Sequence, residues 1–366
     1  MSPPEDVAGA RTQTGRAPAA VIFGCAGPRL NGDERALFRD ADPLGFILFA
    51  RNCETAEQIR ALGAELRAAV GRADAPVLID QEGGRVARLK PPLGHVVPPM
   101  RMIGDIHAHD PVHGRELAWA AGRLIAHDLA VLGIDVDCAP VLDLARPETT
   151  TAIGDRAFAA EPASVAALGG AVAAGLLAGG VLPVVKHMPG HGRARVDSHK
   201  ELPSVDASRN ELEAQDFAPF RALAGLPLGM TAHVRYTALD AAAPATQSPN
   251  VIADIIRGDI GFDGLLMSDD LAMQALDGSP GARAARALAA GCDIALHCTG
   301  IVDEMREVAA AVGAMTSEAQ RRWRAACAIR AASPDDTDMP AFAAGLEGDA
   351  LAMTLASALA ESLPVA

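Results

Sequence analysis

The sequence predicts an α/β protein built as a single (β/α)8 barrel of the TIM type. Eight short, apolar, β-rich runs recur along the chain, and between them the hydrophobic period changes to that of amphipathic helices. No G-x-G-x-x-G follows the first run and no G-x-x-x-x-G-K-[ST] occurs anywhere, which removes the usual marks of an open nucleotide-binding sheet.

The runs fall in order. AVIFG (20–24) comes first and GFILFA (45–50) second. Thr55 and Gln58 then stand at capping-box spacing, and Ile59, Leu62, Leu66 and Val70 share one helical face. PVLID (76–80) is followed by a long stretch, 81–133, with room for elements of its own before IDVDCAP (134–140). LPVVK (182–186), LGMTAH (228–233), GLLMSD (264–269) and DIALHC (293–298) complete the set. Ser208 with Glu211 repeats the capping signal before Leu212, and Ser248-Pro249 reads as a helix start with proline at its first position. Asp270 reads as the cap of a helix over LAMQAL. The expected organisation is a disordered tail over 1–17, the barrel over 18–335, and a C-terminal helical segment over 336–366 that packs on the barrel or is partly mobile.

Half of the 366 residues are hydrophobic, ample for a buried core. A net charge of −14 with no dense basic run argues against a nucleic-acid partner. The N-terminal stretch has no apolar signal region, and no uninterrupted span reaches the ~18 to 20 apolar residues of a membrane helix. The six cysteines are scattered without C-x-x-C spacing and read as reduced core thiols. Together these fit a soluble cytoplasmic enzyme acting on a neutral or mildly polar small molecule; a monomer or weak homo-oligomer without a cofactor is expected.

In a parallel barrel the active site lies at the C-terminal ends of the strands, and polar residues gather at five such ends. They are Arg51-Asn52, Asp80 to Arg85, Lys186-His187, His233, and Ser268-Asp269-Asp270. Asp269 directly follows the apolar run, so it is the better candidate of its pair to point into the mouth.

The densest stretch is KHMPGHGRARVDSHKELP, residues 186–203, which holds three of the ten histidines. Its glycines and prolines exclude a helix, so the His187-to-His191 spacing is a poor match for helical zinc ligands. In an extended loop Asp197 and His199, two apart, project to one side; the carboxylate would hold the ring and favour its protonated form. Such a pair moves protons. The competing readings are an ordinary solvated loop pair, or a metal-dependent barrel hydrolase using His187, His191, Asp197 or Asp269.

At this point the chain resembles the family 3 glycoside hydrolases, in particular their bacterial β-N-acetylglucosaminidase branch. GFILFARN, LIDQEGGRVARL, DCAPVLDL, IGDRAF, the 186–203 block, MTAHVRY, SPNVI, GLLMSDDLAM and AGCDIAL carry the resemblance, collinear over most of the chain. The combination of KH-x-PGHG…DSH with a later SDDL is very specific.

The resemblance implies a retaining exo-β-N-acetylglucosaminidase acting on a small carbohydrate, usually muropeptide fragments met in cell-wall recycling. It implies that Asp269 is the nucleophile, and that His199 is the general acid and base, oriented by Asp197. Asp80, Arg88, Arg156, Lys186 and His187 would bind the terminal sugar. Met188 stands where phenylalanine is common, and too few residues follow position 300 for the second domain of many family 3 β-glucosidases. A sugar-binding barrel without turnover, and transfer to phosphate instead of water, are the other readings. Aromatic residues are only 3% of the chain, so sugar recognition is expected to lean on charged groups.

Overall fold

Eight parallel strands close into a barrel: β1 (Ala19–Gly24), β2 (Pro43–Leu48), β3 (Val77–Ile79), β4 (Val136–Asp137), β5 (Leu182–Met188), β6 (Leu228–Thr231), β7 (Leu265–Asp270) and β8 (Ile294–His297). Each pairs with its neighbours in sequence, and β8 closes on β1 through Val21 beside Ala295. All eight coincide with the runs read from sequence. The structure, a computed structural model, describes residues 16–332. The expected C-terminal segment, 336–366, and all but the last two residues of the expected tail lie outside the described residues.

Up to their C-terminal ends the strands are mainly apolar because both faces are buried. Ile22, Ile47, Leu78, Val136, Val184, Met230, Met267 and Leu296 fill the barrel interior. Val21, Phe23, Phe46, Val77, Val185 and Leu266 face the helical layer. The helix Ser317–Ala332 contributes Ala319, Trp323 and Ala326, with Met315 before it, to the interior cluster and so closes the barrel floor. Four apolar side chains there leave the opposite end as the open one.

Helix starts follow the capping chemistry with one refinement. Thr55 accepts the Gln58 N–H, and Ile59, Leu62, Leu66 and Val70 are buried as the period required. The Gln58 side chain, however, accepts from Glu54 and donates to Pro28 and Asn52, so the box is not reciprocal. At Ser208 and Glu211 it is. Ser248 Oγ caps the turn at Val251, and the segment it starts is π-helical over Val251–Asp259.

The long stretch after β3 does hold further elements. A hairpin pairs Gln81–Gly83 antiparallel to Val86–Ala87 above the barrel, and the helices Met100–His109 and Pro111–Val131 follow. None of the six cysteines is disulfide-bonded. No helix among the described residues is long and apolar enough to cross a membrane.

Candidate active site

All eight residues singled out for binding and catalysis line one cavity of about 290 Å³: Asp80, Arg88, Arg156, Lys186, His187, Asp197, His199 and Asp269. It opens at the C-terminal ends of β2, β3, β5, β7 and β8, through Ile47, Asp80, Lys186, Asp269 and Leu296. A larger cavity of about 610 Å³ lies at the other end, beside Ala19 and Asp42 at the starts of β1 and β2. Its ionisable lining is Arg16, Arg39, Asp40 and Asp42, with no nucleophile paired to a proton carrier. The chemistry gathers in the smaller cavity.

One wall is an ion cluster. Lys186, only 2% exposed, places Nζ 2.8 Å from Asp80 Oδ1 and 2.7 Å from Glu82 Oε1. Arg156 donates to Glu82 through Nε and Nη2, and Arg88 donates to Asp80 Oδ2 at 3.1 Å. Burial would push both carboxyls up, but the cations outweigh it and hold Asp80 and Glu82 below their ordinary values. The same pairing outweighs burial at Lys186 and holds it charged.

Lys186 and His187 end β5, and the chain turns sharply at Pro189-Gly190. Gly190 has a φ of 135°, and an added Cβ at Gly192 would overlap the Leu144 carbonyl oxygen. Gly192 therefore serves close packing against the segment after β4, while Gly190 supplies the positive φ of the turn beside Asp216. Met188 is fully buried, and its carbonyl accepts the Ala232 N–H at 2.7 Å.

His199 holds its ring against the carboxylate two residues earlier. Its Nδ1 lies 2.8 Å from Asp197 Oδ1, which also accepts the His199 backbone N–H at 2.9 Å. The His199 side chain is 66% exposed at the rim. Ser198, between them, points inward: its Oγ lies 3.3 Å from His191 Nε2, and its carbonyl accepts the Ala275 N–H. His191 itself is buried, which pushes its pKa down to about 4 and keeps the ring neutral.

Asp269 sits within the last two residues of β7, inside the cavity. Burial would raise its carboxyl; the neighbouring His187 and His233, with the Asp270 N–H at 2.8 Å, bring it down to about 2. The surroundings thus favour the carboxylate form. Asp270 differs from the sequence reading, because no helix follows it. Residues 271–276 form turns whose backbone is taken up from outside: Leu271 N–H by Leu296, and the Leu271 and Met273 carbonyls by Arg283. The Asp270 carboxylate accepts from Ala272 N and Cys298 N, tying the end of β7 to the end of β8.

Of the other strand-end residues, Arg51, Asn52 and Ser268 are structural. Asn52 Nδ2 donates to the carbonyls of Cys25 and Gly27, Arg51 Nε donates to the Cys25 carbonyl, and Ser268 Oγ accepts the Leu296 N–H. His233 is buried between Thr246 Oγ1 and the Asp270 carbonyl, out of the cavity lining.

Sequence reasoning missed Glu82, Asp143 and Phe49. Phe49 is the aromatic ring of the cavity, with the guanidiniums of Arg51 and Arg88 at 4.8 and 5.3 Å from its centroid. The spacing of Asp80 and Glu82, two apart in an extended segment, was a usable signal for Glu82. Among the described residues no group of three or more His, Cys, Asp or Glu side chains is arranged to hold a metal ion.

Comparison with known proteins gives this geometry a family. The model of the glycosyl hydrolase family 3 N-terminal domain matches residues 19–326. A curated relative named Beta-hexosaminidase from Alkalilimnicola ehrlichii is 42% identical over 282 residues, 76% of this chain and 80% of its own. Another of that name from Pseudomonas aeruginosa is 40% identical over 283 residues, 76% of this chain and 82% of its own. Among solved structures, NagZ from Neisseria gonorrhoeae in complex with N-trifluoroacetyl-D-glucosamine superposes with a TM-score of 0.80 at 33% identity, covering 95% of this chain and 99% of that one. The protein is a glycoside hydrolase, and it belongs to glycosyl hydrolase family 3.

Proposed function

We propose that the protein is a retaining exo-β-N-acetylglucosaminidase that removes terminal β-linked N-acetylglucosamine from muropeptide fragments during cytoplasmic cell-wall recycling. The observation that carries the reading is the pairing of two groups across one cavity. Asp269 is an ionised carboxylate at its base, and the Asp197–His199 pair stands at its rim. The relatives named Beta-hexosaminidase and the NagZ structure support the choice of sugar.

In this reading Asp269 attacks the anomeric carbon and forms a glycosyl ester, while the bond to the leaving oxygen breaks. His199 delivers a proton to that oxygen. Asp197 takes Nδ1–H, so Nε2 is the nitrogen free to give the proton and later to take one from water. Water then attacks the anomeric carbon from the vacated side and releases Asp269. Asp80, Arg88, Arg156, Lys186 and His187 hold the sugar hydroxyls.

Hydrolysis of aryl β-N-acetylglucosaminide beside aryl β-glucoside tests the reading. Preference for the former is expected; equal or better kcat/KM on the glucoside overturns the sugar assignment and leaves the mechanism standing. A sugar ester trapped on Asp269 separates turnover from mere binding. Full activity after chelation separates it from a metal-dependent hydrolase, and rates with and without phosphate identify the acceptor.

A further inference from the structure

Asp143 is fully buried, belongs to no barrel strand, and lies outside the cavity lining. The chain after β4 runs beside the end of β5, with a bridge between Val141 and Lys186 and the Leu142 N–H donating to the Lys186 carbonyl at 2.7 Å. This brings the Asp143 carboxylate to the back of the His187 ring. Its Oδ2 lies 2.7 Å from His187 Nδ1, and its Oδ1 accepts the backbone N–H of His191 at 2.6 Å and of His187 at 3.3 Å. Burial would raise the carboxyl; His187 and His191 hold it below its ordinary value instead. It is an acceptor on both oxygens. Nδ1 of His187 must therefore carry the hydrogen, and Nε2 is the nitrogen left to face the cavity that His187 lines. The groups around that ring are Asp143, His191 (ring centroids 5.8 Å apart), Lys186, His233 and Asp269.

We propose that Asp143 is a positioning residue of the hydrolytic site: it fixes His187 with Nδ1 protonated and Nε2 aimed at the sugar. The inference rests on the reading of this cavity as the sugar site. Three acceptor contacts on one buried carboxylate set both the tautomer of a sugar-facing ring and the root of the loop that carries His199.

Asp143→Asn keeps the shape and reverses the ring. The amide has one carbonyl oxygen, and the two backbone N–H groups claim it. Its NH2 then faces His187 and donates to Nδ1, which must be bare, so Nε2 becomes the protonated nitrogen. A purely structural role for Asp143 would lower activity and leave the hydrogen on Nδ1 of His187. The positioning role predicts a loss of about 10- to 100-fold in kcat/KM, as for one charged hydrogen bond, together with transfer of the ring hydrogen from Nδ1 to Nε2. The second readout needs no turnover: the 15N shifts of the His187 ring, assigned by comparison with His187→Gln. In the unsubstituted enzyme Nδ1 is expected to be protonated, and a bare Nδ1 there overturns the proposal even if Asp143→Asn does not fold. A ring hydrogen still on Nδ1 in a folded Asp143→Asn enzyme overturns it as well. If the unsubstituted enzyme hydrolyses no glycoside, the functional reading fails while the ring shifts still decide the tautomer.

Discussion

The Arg156 guanidinium meets the Glu82 carboxylate edge to edge, with Nε 2.8 Å from Oε2 and Nη2 2.8 Å from Oε1. This fork joins the hairpin after β3 to the loop at 154–156, and Lys186 from β5 completes it at 2.7 Å. Three segments distant in sequence are thus fixed around one buried carboxylate. Two residues that face the sugar cavity owe their orientation to a third that the charge pattern alone did not single out.

Glu82→Gln should therefore damage stability and binding together. Breaking a buried ion pair from one side costs about 3–5 kcal/mol, because the remaining cations lose their counter-charge. Glu82 has a folded pKa below its ordinary value of 4.5, so the native state binds fewer protons than the unfolded one. Its contribution is complete above that value and is lost as pH falls. Urea unfolding of the two proteins at pH 7, 4 and 3 is expected to show a large gap that begins to narrow below 4.5 and closes further toward the lower folded value. A gap independent of pH would mean that shape, not charge, is what Glu82 supplies.

Asp137 should respond in the opposite sense. It is fully buried, Oδ1 accepts the Gln81 N–H at 2.9 Å, and Oδ2 has no partner. Burial raises its pKa well above the ordinary value, so the native state holds a proton that the unfolded state releases. Stability is then lost as pH rises above the unfolded pKa. Asp137→Asn, neutral at every pH, is expected to melt higher than the parent at pH 7 to 8 and about equally near pH 4. A lower melting temperature at pH 8 would place a charged, functional carboxylate there.

Asp269 and Asp270 are adjacent and should fail differently. Asp269→Ala removes the covalent route and should lower kcat by several orders of magnitude with little change in melting temperature. Asp270→Ala deletes an acceptor for Ala272 and Cys298, and about 1–3 kcal/mol of stability should go with it. Kinetics and melts on both variants check this. A normal turnover in Asp269→Ala with a dead Asp270→Ala would exchange the roles.

The barrel was legible because its signal is local. Strands buried on both faces read as short continuous apolar runs, as AVIFG and GLLM do, and their length and the helical periods between them mark them as strands. The Asp197–His199 pair was legible by its spacing, but residues 198–200 form a turn and not the expected extended loop: the Asp197 carbonyl accepts from Lys200 and Glu201, and its carboxylate caps the turn through the His199 N–H. Glu82 carried that spacing relative to Asp80 as well. Asp143 did not: its meeting with His187 depends on β4 lying beside β5, which no window of sequence contains. LAMQAL misled in the reverse direction. Its apolar residues suggest a helix, but Leu296 and Arg283 claim backbone groups that a helix would have satisfied internally. Tertiary partners overrode local preference there.

His199 carries the most direct test of the proton-transfer reading. A general acid matters in proportion to how badly the leaving group needs a proton. A sugar alkoxide needs one; a nitrophenolate hardly does. His199→Ala should therefore cost roughly 10²- to 10⁴-fold in kcat/KM on a disaccharide, and far less on an activated aryl glycoside. The side chain is 66% exposed and its partner is Asp197 within the same loop, so the truncation should leave the barrel's stability nearly unchanged. In that reading release of the glycosyl ester also needs His199, now as the base that takes a proton from water. The aryl substrate should then give a burst of nitrophenol followed by slow turnover, which rapid-mixing kinetics would resolve. Asp197→Ala should show a weaker form of the same pattern, because the ring remains but its Nδ1 loses the carboxylate that holds it. A uniform loss on both substrates with no burst would leave His199 as a group that positions the sugar, and the proton would have to come from elsewhere.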